Sequence, residues 1–167
     1  MPESNNIGFK LAKEEDISFM LKTYKYYIIN STATFHTEAL ELEEIKKSLP
    51  LNHHLYKTYI ILNKEIPCGF CYIDNFKPRQ AYNRSAEVTL YLAPELLGKG
   101  IGTTTLEFLE TQAKKTGIKN LLGVITAENK GSVKLFEKAG YTKVGHLRNI
   151  GEKFGRILDV VTYQKEI

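Results

Sequence analysis

The segment Leu97-Gly98-Lys99-Gly100-Ile101-Gly102 separates two different sequence periods and decides the fold. Before it, residues 87–92 alternate polar and apolar, which predicts a strand. After it, residues 103–116 repeat apolar side chains at helical spacing, and Gly117 ends that helix. Glycines allow a tight turn and close approach to a ligand, and the free N–H groups opening a helix favour an anion. The segment therefore predicts a strand–loop–helix unit that binds a pyrophosphate, with a ligand-free turn as the alternative.

Two other phosphate-binding motifs are excluded by the residues themselves. A Walker loop ends in Gly-Lys-Ser/Thr, but here Gly102 is followed directly by Thr103. A dinucleotide fingerprint needs glycine where Thr103 stands, and it belongs on the first strand of its fold. The loop therefore belongs to a different class of phosphate site.

The rest of the chain alternates between strand and helix patterns. Strands are predicted at residues 7–11, 56–62, 66–76, 121–126, 141–147 and 157–164, and helices at residues 16–30, 41–49 and 129–139. The short, nearly continuous apolar run at 121–126 is typical of a buried parallel strand. We expect an α/β chain with a mixed sheet flanked by helices, forming a single domain over residues 1–167.

Composition limits the kinds of partner. The net charge of +4 comes from 23 basic and 19 acidic side chains, too mild and too dispersed for a nucleic-acid binder. No apolar run approaches the length of a membrane span, and residues 1–6 lack the pattern of a signal peptide. We therefore expect a cytoplasmic protein that binds neither nucleic acid nor membrane.

Cysteine and histidine give no sign of a metal site. Cys68 and Cys71 lie three apart on a predicted strand, so their side chains should face opposite sides rather than form a redox or metal pair. The four histidines are scattered, and His53 and His54 lie in a polar loop. We expect two ordinary strand cysteines and no metal.

The combined motifs resemble those of the GCN5-related N-acetyltransferase superfamily. The matching positions are the loop 97–102, Asn129, Ser132 and the ending Phe136-Glu137-Lys138-Ala139-Gly140-Tyr141. A closer similarity, to the phosphinothricin and methionine sulfoximine acetyltransferases, covers residues 30–38, 79–82, 86–92 and 151–159. The resemblance implies a twisted mixed sheet of about seven strands flanked by about four helices, acetyl-CoA as co-substrate, a small amino-acid-like substrate and a homodimer.

The resemblance also assigns roles to individual residues. Glu87 is the expected general base, with a surface ion pair as its alternative role. The expected cofactor contacts are Leu90, Tyr91 and Leu92 through a bulged backbone, then Gly98, Lys99, Gly100, Ile101, Gly102, Thr103, Asn129, Ser132 and Lys138. Asn129 could equally be only a helix cap, and Lys134 is expected to face solvent. The expected substrate contacts are Phe35, Lys77, Arg79, Tyr82 and Lys153. Arg79 could bind two oxygens of an acid group, or remain a solvated loop cation.

Three departures from the family pattern affect these expectations. Leu97 replaces a Gln or Arg of the cofactor loop, and His36 stands where many relatives have arginine. Phe136 occupies the position of the tyrosine that protonates the departing thiolate, so Tyr82 becomes a candidate acid or the thiolate leaves unprotonated. Acetylation of a protein N-terminus or a polyamine, and acetyl-CoA binding without catalysis, remain the competing functions.

Overall fold

The computed structural model describes residues 6–167, which form one seven-stranded sheet with helices on both faces. Residues 1–5, which carry most of the segment tested for a signal peptide, lie outside the described residues. The strands are β1 (Ile7–Leu11), β2 (Lys57–Asn63), β3 (Ile66–Asn75), β4 (Ser85–Leu92), β5 (Asn120–Thr126), β6 (Thr142–Lys153) and β7 (Arg156–Glu166). The helices are α1 (Ile17–Asn30), α2 (Leu42–Ser48), α3 (Ile101–Lys115) and α4 (Lys130–Lys138).

The strand order in the sheet is β1-β2-β3-β4-β5-β7-β6. Only β4 and β5 pair in parallel, and every other neighbouring pair is antiparallel. The crossover between β4 and β5 contains α3, as a parallel connection requires. The prediction of a mixed sheet of about seven strands with about four helices is confirmed.

Two clusters of buried side chains fix the helices on opposite faces of the sheet. One contains Leu106 and Leu109 of α3 together with Ala86 and Val88 of β4. The other contains Met20 and Leu21 of α1, Ile45 of α2, and Phe70 of β3. Because side chains alternate along a strand, Glu87, Thr89 and Tyr91 lie on the α1/α2 face. The side chains on one face of β4 therefore pack in the core under α3, and those on the other face are available to the candidate site.

Local sequence signals explain where two of the helices begin. The α2 helix starts with a capping box, in which the Glu41 N–H donates to Glu44 Oε2 at 2.7 Å. The α4 helix starts at Asn129, whose Oδ1 accepts the Ser132 N–H at 3.2 Å. Within residues 6–167, no helix is long and apolar enough to cross a membrane.

Two expectations from the sequence are corrected. The strand predicted at 141–147 runs to Lys153, because β6 pairs with β7 along its full length with two register shifts. Cys68 and Cys71 do not face opposite sides: both are buried in the cluster beneath α3, because a shift between Ile61 and Leu62 resets the alternation at Cys68. Both thiols are free, and burial raises the pKa of Cys68 to about 11.

Candidate active site

The candidate site lies where the central sheet opens. Strands β4 and β5 pair only from Ser85↔Asn120 to Glu87↔Leu122, and beyond Glu87 each strand pairs only with its outer neighbour. The gap forms a cleft of about 590 Å³. It is bounded by Val88–Leu92 of β4, by Val124–Thr126 of β5, by the glycine loop and by one face of α4.

Backbone N–H groups of β4 point into this cleft. The Ala93 N–H donates to Cys68 O at 2.8 Å, which fixes the side of β4 that faces β3. Successive residues of a strand turn their N–H groups to opposite sides, so those of Leu90 and Leu92 face the cleft. The expected bulge is not there, since the register from Asn75↔Ala86 to Gly69↔Leu92 contains no shift. Divergence from β5 exposes the donors instead.

The glycine loop closes one end of the cleft. Gly98 and Gly100 have φ angles of 74° and 83°, and a Cβ at either position would meet nothing within 4 Å. These glycines are therefore required by the left-handed backbone and not by crowding. The α3 helix begins directly after Gly100, so the first N–H groups of the helix have no intrahelical acceptor. Loop and helix start together form a donor-lined concavity suited to a phosphate group.

The α4 helix forms the opposite wall. A Cβ on Gly102 would approach Leu135 Cδ2 to 2.9 Å, so this glycine lets α3 pack closely against α4. The Phe136 ring lies on Gly123 of β5, where any Cβ would overlap it, and it is buried at the cleft wall. The cleft is also lined by Asn129, Ser132, Lys134 and Lys138. Asn129 is a helix cap through Oδ1 while also lining the cleft. Lys134 lines the cleft and is exposed, as expected.

Glu87 lies at the vertex of the opening, as the last residue of β4 that pairs with β5. Burial raises the pKa of its carboxyl, and the negative charge of Asp74 raises it further. Among residues 6–167 its side chain makes no ion pair or hydrogen bond, so the surface ion pair considered from the sequence does not form. A desolvated carboxylate of raised pKa is suited to accept a proton near neutral pH.

The comparison with known families bears directly on this arrangement. The family model described as an acetyltransferase (GNAT) domain matches residues 9–162. The chain belongs to the GNAT acetyltransferase family.

Related proteins carry more specific names. A phosphinothricin N-acetyltransferase of Streptomyces coelicolor is 28% identical over 172 residues, covering 100% of both chains. An L-methionine sulfoximine/L-methionine sulfone acetyltransferase of Salmonella typhimurium is 20% identical, covering 95% of this chain and 93% of that protein. The crystal structure of a phosphinothricin acetyltransferase from Sinorhizobium meliloti, in complex with AcCoA, matches with a TM-score of 0.88 and 25% identity. That match covers 96% of this chain and 88% of the other.

A loop of this acetyltransferase, residues 31–36, is held tightly beside the cleft. Lys153 is 2% exposed, and its Nζ donates to Ser31 O at 2.7 Å and to Thr34 O at 2.8 Å. Thr126 Oγ1 donates to Thr32 O at 2.5 Å. Lys153 was expected to contact substrate, but its ammonium donates hydrogen bonds to the carbonyl groups of the loop. Its burial lowers the pKa of that ammonium.

Phe35 is carried by the same loop. Its ring covers Gly151 of β6, where a Cβ would overlap it, and the side chain remains 38% exposed. The loop therefore presents an aromatic surface next to the sheet, consistent with the contact expected from the sequence.

The other expected substrate residues lie on the connection between β3 and β4. Tyr82 packs edge-on against Phe76 with ring centroids 5.7 Å apart. The Lys77 Nζ lies 5.4 Å from the Phe76 ring centre. Arg79 is exposed, and within residues 6–167 its guanidinium makes no ion pair. Lys77 lines a second cavity, of about 550 Å³. Arg79 and Tyr82 do not line that cavity, so the side chains of this connection do not all face the same space.

Several tyrosines were not singled out in the sequence. Tyr24 Oη bonds to Thr34 Oγ1 at 2.5 Å and to His36 Nδ1 at 2.6 Å. Tyr27 Oη donates to Leu92 O at the cleft wall, and burial raises the pKa of Tyr27 to about 12. A phenol that holds its proton so tightly is a poor acid for a thiolate. The helical spacing of Tyr24 and Tyr27 indicated only core packing, so nothing in the sequence distinguished them.

No metal site accompanies this constellation. Within the described part of the chain, no group of three or more His, Cys, Asp or Glu side chains is placed to hold a metal ion.

Proposed function

We propose that this acetyltransferase transfers the acetyl group of acetyl-CoA to the amine of a small amino-acid-like molecule. The observation that carries the proposal is the position of Glu87 at the vertex where β4 and β5 separate. Backbone donors line one side of the opening, and the glycine loop and the start of α3 close its end. The relatives named for phosphinothricin and methionine sulfoximine support the choice of substrate.

The cleft fits the proposed co-substrate. Space around Gly98 and Gly100 admits a phosphate to the free N–H groups of α3, and Lys138 lies on the facing helix. Ser132 and Asn129 line the middle of the cleft, where a long arm could pass. Acetyl-CoA would supply an acetyl thioester. We therefore propose Gly98 to Thr103, Asn129, Ser132 and Lys138 as its contacts, with Leu90 and Leu92 contributing backbone N–H groups. Tyr91 was expected to contribute its backbone too, but its N–H faces β3, and it only lines the cleft.

The chain's own groups then have distinct tasks. The carboxylate of Glu87, directly or through water, takes a proton from the substrate ammonium, which frees the nitrogen lone pair for attack on the thioester carbon. The N–H groups of Leu90 and Leu92 face the cleft and stabilise negative charge that develops on the carbonyl oxygen. As the C–N bond forms, the C–S bond breaks. The thiolate leaves without a proton from position 136, because phenylalanine has none to give.

We propose Phe35, Lys77, Arg79 and Tyr82 as substrate contacts. Arg79 has an exposed guanidinium that forms no ion pair within the described part of the chain, and it is suited to the two oxygens of a carboxylate or phosphinate. Lys153 acts indirectly, by fixing the loop that carries Phe35. Cationic side chains on this side favour an amino acid over a polyamine.

The Glu87→Gln variant tests the proposal. We expect kcat/KM for the accepted amine to fall by about 10²- to 10⁴-fold, because the proton acceptor is lost. Acetyl-CoA affinity, measured by calorimetry, should stay unchanged because Glu87 does not line the cleft. Glu107→Gln is the matched control. The side chain of Glu107 is exposed on α3, on the other face of the sheet, and its replacement makes the same change in charge.

The substrate class needs its own assay. Acetyl-CoA consumption is measured with methionine sulfoximine, methionine sulfone, phosphinothricin, common amino acids, polyamines and peptides. Turnover confined to polyamines or peptides would contradict the amino-acid proposal. Tight acetyl-CoA binding without turnover on any amine would favour a non-catalytic module.

We also propose that the protein is a cytoplasmic homodimer with one N-acetyltransferase domain over residues 1–167. The free buried thiols of Cys68 and Cys71 are consistent with a reducing compartment. The edge strand β6 exposes the apolar side chains of Val144, Leu147 and Ile150, which supports a second copy of the chain as its partner.

A further inference from the structure

A second carboxylate stands beside the proposed base. Asp74 of β3 and Glu87 of β4 are direct partners in the antiparallel register. Directly opposite residues share a face of the sheet and bring their Cβ atoms to about 4.5–5.5 Å. Among the described residues, the Asp74 side chain accepts one hydrogen bond, from the Asn75 N–H at 2.7 Å to Oδ1. Neither carboxylate has a cationic partner in an ion pair within residues 6–167.

The groups around this pair do not neutralise it. Tyr72 of β3 faces Glu87 with an uncharged phenol, Tyr24 of α1 lies next to Tyr72, and the partner of Glu87 on β5 is the buried Leu122. His53 and Tyr56 approach Asp74 from the segment before β2, and Lys77 lines the same second cavity as Asp74. The charge of His53 lowers the pKa of Asp74, whereas no cationic group among the described residues lowers that of Glu87. The two carboxylates are therefore poorly compensated while both are ionised.

We infer that Asp74 is a positioning residue that acts through Glu87, making Glu87 a stronger acceptor for the proton of the substrate ammonium. This inference rests on the proposed function, because it assigns Glu87 the role of base. Two like charges side by side repel, and binding one proton relieves the repulsion. The direction agrees with the raised pKa of Glu87, for which burial is the larger cause and the charge of Asp74 the smaller.

The Asp74→Asn variant isolates the charge. Asparagine keeps the shape and the oxygen that accepts the Asn75 N–H, but it removes the negative charge. In protein labelled with ¹³C at the glutamate carboxyl, the Glu87 resonance is assigned with Glu87→Gln and followed through a pH titration. We expect Asp74→Asn to lower the Glu87 midpoint by about half a pH unit or more, because the repulsion is gone.

Two further variants control for other effects. Asp74→Glu retains the charge and should keep most of the elevated midpoint. Glu107→Gln removes one negative charge from exposed α3 on the other face of the sheet, and it should leave the midpoint unchanged. An equal midpoint shift in Asp74→Asn and Glu107→Gln would mean a general charge effect and would overturn the inference.

The kinetic readout follows from the same coupling. In Asp74→Asn the acidic limb of kcat/KM should move to lower pH together with the Glu87 midpoint, and the plateau should fall about twofold because a weaker base removes the proton more slowly. A merely structural role would lower the plateau without moving the limb. An unmoved limb with an unmoved Glu87 midpoint would refute the role of Asp74.

The inference and the proposed function can fail separately. If the parent protein acetylates no amine, the proposed function fails, while the titration still decides whether Asp74 and Glu87 are coupled. If the parent is active and Glu87→Gln is inactive, but the midpoint is the same with and without Asp74, only the inference fails.

A double-mutant cycle measured by thermal unfolding tests the coupling without enzyme turnover and without assigned NMR resonances. The cycle compares the parent with Asp74→Asn, Glu87→Gln and the double variant. At pH 8 the rise in Tm of the double variant should be smaller than the sum of the rises in the two single variants, because either change alone removes the repulsion. At a pH low enough to protonate both carboxyls, the non-additivity should disappear. Strict additivity at pH 8 would contradict the coupling.

Discussion

At the scale of single residues, the site depends on side chains whose surroundings differ from what their type suggests. Lys153 is a buried cation that donates to two carbonyl groups, and Glu87 is a half-buried acid that forms no ion pair with any residue from 6 to 167. Phe136 stands where the family resemblance led us to expect a tyrosine acid, and its ring packs against Gly123. In each case burial and neighbours, more than residue type, decide what the side chain can do.

Replacing Lys153 with Met tests its role in holding the loop. The variant keeps the side-chain length but leaves the carbonyls of Ser31 and Thr34 without their donor. We expect the free energy of unfolding, measured in urea, to fall by roughly 2 kcal/mol, since hydrogen bonds from charged donors are worth about 1.5–3 kcal/mol each and relief of ammonium desolvation offsets part of the loss. The KM for the amine should rise because Phe35 is held less firmly.

The control for this prediction is Lys114→Met in exposed α3, which should change the free energy of unfolding by less than about 0.5 kcal/mol. If Lys153→Met were as stable as the parent and its amine KM unchanged, the loop would be held by Thr126 and its neighbours alone.

At the scale of elements, the candidate phosphate site is made by one junction, the turn from Leu97 into α3. Gly98 and Gly100 set its backbone, and Gly102 sets the distance from α3 to α4. The side chain of residue 97 contributes little, because the donors are main-chain groups at the helix start. This explains how a leucine is compatible with the cofactor loop.

Replacing Gly100 with Ala should weaken acetyl-CoA binding. An alanine held at a φ of 83° costs about 1–2 kcal/mol, and relaxing that strain displaces the N–H groups that open α3. We expect the Kd for acetyl-CoA, measured by calorimetry, to rise about tenfold, the equivalent of about 1.4 kcal/mol.

A second glycine distinguishes strain from ligand contact. Gly155, in the turn between β6 and β7, has a φ of 68° and equally open surroundings. Gly155→Ala should lose similar stability while binding acetyl-CoA as tightly as the parent. Equal losses of affinity in the two variants would show that the loop has no special part in binding.

At the scale of the whole molecule, the β6 edge of the sheet exposes apolar side chains. At the β6 edge Leu147 is 50% exposed and Ile150 57% exposed. An unpaired strand with apolar side chains is a ready surface for another chain. A stable homodimer typically buries about 800 Å² on each partner, which an edge of twelve residues can contribute to substantially.

The Ile150→Lys variant tests the proposed dimer. A charge in the buried interface should shift the protein towards monomer, measured by light scattering across a concentration series. Ile66→Lys is the control, because Ile66 is 68% exposed on β3, away from the β6 edge. A parent protein that stays monomeric at every concentration would contradict the dimer.

Much of the fold could be predicted from local patterns. Helix and strand periods placed all seven strands and four helices, and Gly117 and Asn129 marked the helix ends correctly. The exceptions have clear causes. The strand continuing to Lys153 is stabilised by pairing with β7, and the side chain of Cys68 is turned by a bulge, so neither follows from local alternation.

The sequence by itself determined the elements, the glycine loop and the family, because φ preferences, helix caps and apolar periods act within a few neighbouring residues. Only the tertiary structure decided that β4 and β5 part after Glu87, that Asp74 stands opposite that carboxylate, and that Lys153 is committed to Ser31 and Thr34. These features join residues far apart in the chain. They depend on strand register and on which groups are buried together, and neither can be predicted from a local stretch of sequence.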